Sequence, residues 1–106
     1  MDGFYCRCVD GYYVNIYNSK LDFITKRVSE YKTEDENIRM YVVQGVGGKV
    51  VVQREGDRIR ATYVGRHKGT FRLPGSTKVG EVLQVAISQM VDKPVTIETV
   101  QRDRLF

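Results

Sequence analysis

The sequence has no tryptophan, two prolines, two cysteines and a single histidine. Two prolines in 106 residues argue against a disordered linker, so we expect an ordered chain. Cys6 and Cys8 are too few for a disulfide framework, and two residues apart they are badly placed to bond each other within one strand. We therefore expect reduced thiols and a fold that needs no disulfide and no cofactor.

Long apolar segments are also missing. Runs without a charged residue, such as Met40 to Gly48, are too short to cross a membrane as a helix. The N-terminus lacks the basic-then-apolar order of a signal peptide. We expect no membrane association and a cytoplasmic location, or the interior of a virion or host cell if the source is viral.

Catalysis and metal binding find little support in the sequence. His67 lies between Arg66 and Lys68, and no Ser, Cys or carboxylate pattern completes a nucleophile-base pair with it. Two thiolates and one distant histidine are too few ligands for a closed zinc site within one chain. We expect a protein that is not an enzyme and holds no metal. A redox role for Cys6 and Cys8, or a zinc site shared between two chains, stays open.

The length of the chain and its apolar pattern predict one α+β domain over residues 1–106. We expect a two-layer α/β sandwich in which a mostly antiparallel sheet of about five to seven strands packs against two helices. Asp10-Gly11 suits a tight turn between strands at Phe4 to Val9 and Tyr12 to Tyr17. Ser19 to Lys32 is predicted to be the first helix, because Ser19 with Asp22 resembles a capping box and apolar residues follow at helical spacing.

The rest of the chain is predicted to form strands and a second helix. A two-residue Gly56-Asp57 turn pairs Val52 with Ala61, and a five-residue loop from Gly65 to Gly69 pairs Ala61 with Leu73. The remaining predicted elements are a helix that follows Ser76 or Thr77 and contains Val79 to Met90, and strands at Ile38–Gln44, Lys49–Glu55, Arg58–Val64, Thr70–Leu73 and Val95–Val100.

Positive charge is concentrated between Lys49 and Arg72, the segment that we call the basic ribbon. It holds seven Lys or Arg and two acidic residues, a net charge of +5, whereas the rest of the chain holds ten basic and eleven acidic residues, a net charge of −1. Such a surface favours an anionic ligand. Arginine offers paired donors to a phosphate, and glycines let loop backbone N–H groups approach an anion.

We therefore predict a small accessory protein that binds DNA or RNA through contacts of the basic ribbon with the phosphate backbone. The ribbon has no aromatic side chain at stacking positions, so base-specific recognition is not expected. The predicted contacts are outward-facing donors on the strands and an adaptable basic tip between two glycines, namely Lys49, Arg58, Arg60, Arg66, His67, Lys68 and Arg72.

The alternative is a protein-protein interaction module, such as an adaptor, an inhibitor or a dimerising subunit, whose sheet face meets an acidic partner. If Gly45 to Gly48 is a four-residue loop, Met40 and Val42 lie outward beside Val51. An apolar stripe bordered by charge is typical of a protein interface, including that of a homodimer.

Overall fold

The computed structural model describes residues 6–33 and 39–100. Phe4, Tyr5 and Ile38, which the predicted strands included, lie outside the described residues. Within the two described ranges, no helix is long and apolar enough to span a membrane. The elements are β1 (Cys6–Asn18), β2 (Phe23–Thr33), β3 (Arg39–Gln44), β4 (Gly48–Glu55), β5 (Arg58–Gly65), β6 (Lys68–Pro74), α1 (Val79–Val91) and β7 (Val95–Val100).

The strands form one antiparallel sheet in the order β6-β5-β4-β3-β2-β1-β7. Strands β1 to β6 pair in chain order, and α1 then carries the chain back so that β7 pairs with β1. The helix contacts β4, β5 and β6 on one side and β7 on the other. The sheet therefore curls around α1 as a half-barrel, with a concave face toward the helix and a convex face away from it.

The core lies between α1 and the concave face. The prediction of a helix over Val79 to Met90 is confirmed, because its apolar residues at helical spacing all face the sheet. Alternate residues of the strands bury the other half of the core. The helix contributes Val82, Leu83, Ala86, Ile87 and Met90, and the most deeply buried strand residues are Val14, Val28, Val43, Val50, Val52 and Ala61.

The prediction of a two-layer α/β sandwich with two helices is wrong. Ser19 to Lys32, predicted as the first helix, forms a turn and most of strand β2. The Oδ1 atom of Asn18 accepts hydrogen bonds from the backbone N–H of Lys20 at 2.8 Å and of Asp22 at 3.2 Å, so these polar residues close a hairpin turn. β2 is rich in β-branched and aromatic side chains, and its pairing with β1 and β3 outweighs the helical spacing.

Asp10-Gly11 does not form the predicted turn. β1 continues through it, and its register with β2 shifts between Val9 and Tyr12, as at a β-bulge. A Cβ atom on Gly11 would clash with the backbone carbonyl oxygen of Val28. Glycine is required here because the two backbones approach closely, which is the other common use of glycine within a strand pair.

The turn predictions for the middle strands had mixed outcomes. The Gly56-Asp57 turn is confirmed, since Val52 lies opposite Ala61. The five-residue loop from Gly65 to Gly69 is wrong, because a two-residue connection joins β5 to β6 and Ala61 lies opposite Phe71 instead. The error is a shift of two residues, and side chains alternate with a period of two, so the predicted inward and outward faces are unchanged.

We expect Gly11→Ala to lower the free energy of unfolding by at least about 2 kcal/mol, because the added methyl group meets a backbone oxygen that cannot rotate away. Gly56→Ala is the matched control. Gly56 has a φ of 62° and no atom within 4 Å of an added Cβ, so its substitution carries only the backbone cost of about 1 kcal/mol. Urea unfolding measures both, and equal losses would contradict the close approach at Gly11.

Candidate nucleic-acid interface

The outward residues of the basic ribbon form rows across the convex face of β4, β5 and β6. Lys49 and Lys68 flank Val64 in one row, and Arg60 lies opposite Arg72 in another. The two rows are four residues apart along the strands, roughly 13 Å, with uncharged side chains between them. Five cations of the ribbon therefore share the convex face and form separate groups, namely Lys49, Arg58, Arg60, Lys68 and Arg72.

Glu55 joins the two arginines of one row. One carboxylate oxygen lies 3.2 Å from Nη1 of Arg60, and the other lies 3.4 Å from Nε of Arg72. Nη2 of Arg60 also donates to Oε1 of Gln53 at 2.7 Å. Like charges directly opposite each other on neighbouring strands are destabilising, and the carboxylate between them offsets this repulsion. Arg60 and Arg72 are therefore partly neutralised and held in place.

The importance of Glu55 was missed at the sequence level, although a signal was present. Glu55 is two residues from Gln53, so the confirmed register places it on the same face as Arg60. The prediction used it only in the sum of charges. Its position between two arginines depends on side-chain conformations, which alternation alone does not specify.

Four other cations of the ribbon have no such partner. All four are exposed, and none of them forms an ion pair or side-chain hydrogen bond with any residue in the ranges 6–33 and 39–100. They are Lys49, Arg58, Arg66 and Lys68. Arg58 also borders a cleft of about 240 Å³ whose lining includes Arg72. These four side chains carry charge that a ligand can use without breaking an internal contact.

The tip of the ribbon is anchored. Gly65 N–H donates to the carbonyl oxygen of His67 at 3.1 Å, and His67 N–H donates to that of Met90, in the last turn of α1, at 3.2 Å. Nε2 of His67 also lies 3.9 Å from a carboxylate oxygen of Asp92. The predicted adaptable loop is thus a two-residue turn, Arg66-His67, and His67 ties it to the end of the helix.

The apolar residues of the alternative hypothesis lie together on the convex face. Val42 is directly opposite Val51, and Met40 is directly opposite Gln53, as the four-residue loop predicted. All three apolar side chains are half-buried. Tyr31 of β2 lies opposite Met40 and extends the apolar surface toward β1. We call Tyr31, Met40, Val42 and Val51 the convex apolar patch.

Aromatic side chains on β1 and β2 also belong to the convex face, and the sequence-based prediction missed them. Tyr17 lies opposite Phe23, and their rings stack with centroids 5.7 Å apart. Phe23 is 59% exposed. Because residues 19 to 32 were assigned to a helix, Phe23 and Tyr31 were not placed on the same sheet face as the basic ribbon.

Metal chemistry gains no support from the described part of the chain. Residues 6–33 and 39–100 bring no three His, Cys, Asp or Glu side chains together as ligands. Cys6 and Cys8 pair in register with Thr33 and Tyr31 at the start of β1. The question of a zinc site shared between two chains stays as the sequence left it.

Comparison with protein families, with curated proteins and with solved structures found no match for this chain. The proposed function therefore depends on the residues of this chain alone.

We expect Glu55→Gln to lower the free energy of unfolding by about 0.5–1 kcal/mol at low salt, because Arg60 and Arg72 then face each other without a counter-charge. Two controls test the cause. Raising the salt to about 1 M should narrow the difference from the wild type, since salt screens exposed charges. Adding Arg72→Gln should recover much of the loss. A loss that is the same at both salt concentrations would rule out the electrostatic explanation.

Proposed function

We propose that this protein is a non-enzymatic nucleic-acid-binding protein whose basic ribbon contacts the phosphate backbone. The observation that carries the proposal is a set of four exposed cations that have no partner within the described part of the chain, Lys49, Arg58, Arg66 and Lys68. Unpaired lysine and arginine on one face form the electrostatic footprint typical of backbone binding. Arg60 and Arg72, which share Glu55, are expected to contribute less than their formal charge.

The spacing of these cations supports contact with several phosphates. Val64 is the strand neighbour of both Lys49 and Lys68. It lies six residues from Arg58 on β5, which is a distance of roughly 20 Å. One nucleic-acid strand rises about 3.4 Å per nucleotide in a duplex, so the ribbon spans about six nucleotides. Two groups of cations at this separation fit an extended backbone better than a single small anion.

The aromatic residues beside the ribbon favour a single strand. Stacking of bases on aromatic rings is tolerant of sequence and adds about 1–3 kcal/mol per base. Phe23 and Tyr31 lie on the convex face, across β3 from the ribbon, and are exposed and half-buried respectively. A single strand that crosses the sheet would place phosphates on β4 to β6 and bases on β2. Duplex DNA offers its bases only within its grooves.

The test is fluorescence anisotropy with labelled single-stranded and duplex DNA and RNA, from about 50 to 300 mM salt. Lys49→Ala/Lys68→Ala should weaken single-strand binding about tenfold at low salt and reduce the slope of log K against log salt by about 1.4, or 0.7 for each lost contact. Lys78→Ala/Lys93→Ala is the control, because it removes the same charge from the exposed helix side. Equal effects of the two double variants would mean that net charge alone drives binding.

The convex apolar patch supports a second candidate function, a protein-protein interface, of which a homodimer interface is one form. Met40, Val42 and Val51 are adjacent, half-exposed and bordered by the arginines of the ribbon, which is the arrangement of an apolar centre with a charged rim.

This second candidate predicts that Val42→Asp converts a concentration-dependent dimer to a monomer in sedimentation equilibrium, since a buried carboxylate at the centre of the interface would have no partner. Val42→Thr keeps the size of the side chain and should weaken the dimer less. A wild-type chain that stays monomeric at its highest soluble concentration would contradict dimerisation through this patch.

A further inference from the structure

A row of basic residues crosses the concave face at one end of the half-barrel. Lys32 of β2 lies opposite Arg39 of β3. The β3–β4 register pairs Met40 with Gln53, so one residue further along it sets Arg39 opposite Arg54 of β4. Three neighbouring strands thus each supply one cation to the same row. At about 4.8 Å between strands, the row is roughly 10 Å long.

Like charges directly opposite each other on neighbouring strands destabilise a sheet. On the convex face, Glu55 lies between Arg60 and Arg72. On the concave face, each of two arginines has an uncharged hydrogen-bond acceptor. Nη2 of Arg54 donates to the carbonyl oxygen of Gly75 at 2.8 Å, and Arg39 hydrogen-bonds the hydroxyl of Tyr41. These bonds orient the guanidinium groups without neutralising them.

Arg39 and Arg54 line one cavity of about 110 Å³ between the sheet and the start of α1. Its other polar side chains are those of Tyr41 and Thr77. Each arginine has five N–H donors, more than the hydrogen bonds above occupy. The apolar part of the lining is Val52, Ile59 and Val79.

Nearby groups complete the electrostatics of the cavity. Burial raises the pKa of Tyr41, and the adjacent Glu30 carboxylate raises it further, so the hydroxyl stays neutral at physiological pH. That hydroxyl hydrogen-bonds Glu30 as well as Arg39, which leaves the Glu30 carboxylate engaged. α1 begins beside the cavity with no side-chain cap, and its positive end adds to the field of the two arginines.

We propose that this cavity binds a phosphate group between Arg39 and Arg54. Two guanidinium groups match the oxygens of a phosphate with paired donors, and a dianion between them would relieve their repulsion. The cavity is much smaller than the 300–1,000 Å³ typical of sites for drug-sized ligands, so it would enclose the phosphate and leave any attached group outside. The site lies on the opposite side of the sheet from the convex cations of the basic ribbon and does not depend on the proposed function.

The test is a titration with inorganic phosphate at constant ionic strength. Two-dimensional NMR of the backbone amides monitors the titration. We expect saturable shifts at Tyr41, Thr77 and Val79. Arg39→Gln should raise the dissociation constant at least tenfold, whereas Lys93→Gln, which removes the same charge beyond the far end of α1, should change it less than twofold. Shifts that never saturate, or equal effects of the two variants, would reflect general charge screening and overturn the proposal.

Thermal unfolding gives a second readout, because a ligand that binds the folded state raises the melting temperature once its concentration exceeds the dissociation constant. About 20 mM phosphate should raise the melting temperature of the wild type and of Lys93→Gln, but not that of Arg39→Gln. If Arg39→Gln and the wild type respond equally to phosphate, the cavity is not the site.

A phosphate monoester, ribose 5-phosphate, distinguishes the two sources of the ligand. Binding at least as tight as that of inorganic phosphate would support a phosphorylated molecule as the ligand. Binding at least tenfold weaker would support free phosphate. Both outcomes retain the cavity as a phosphate site, and loss of binding for both probes would refute it.

Discussion

Burial of the apolar stripe of α1 against the concave face is the interaction on which the rest of the structure depends. Leu83, Ile87 and Met90 are at most 2% exposed, and full burial of such side chains contributes roughly 1.5–3 kcal/mol each. The helix contacts β7 and also β4 to β6, so the sheet has to curl for the stripe to be buried on both sides. The convex face is left without a helix among the described elements, and for that reason it can present a broad binding surface.

The parts of this fold that sequence reasoning predicted correctly are those in which neighbours in sequence are neighbours in space. The two-residue Gly56-Asp57 turn fixed the register of β4 and β5, and with it the convex position of Arg60. The stripe of α1 depends on helical spacing within thirteen residues. Local chemistry decided both, so the outward face of the basic ribbon was predictable while the ion pairs of Glu55 were not.

The wrong first helix and the wrong Asp10-Gly11 turn have one physical cause, because tertiary pairing overrode local preference. In Ser19 to Lys32 the apolar residues recur at a spacing that suits a helix, but pairing with strands on both sides made most of the segment β2. Gly11 supports either a turn or a bulge, and the close approach of Val28 decided for the bulge. The row of cations on the concave face could not be predicted for the same reason, because it forms only when β2 is a strand beside β3.

β4 serves both faces of the sheet through a single alternation. Gln53 points to the convex side beside Arg60, and Arg54, the next residue, points to the concave cavity. Moving β4 by one residue would exchange the polar groups of the two surfaces and turn its buried valines outward. Val50 and Val52 are at most 1% exposed and oppose such a slip through the core. Two buried valines thus keep the polar groups of the two faces of β4 apart.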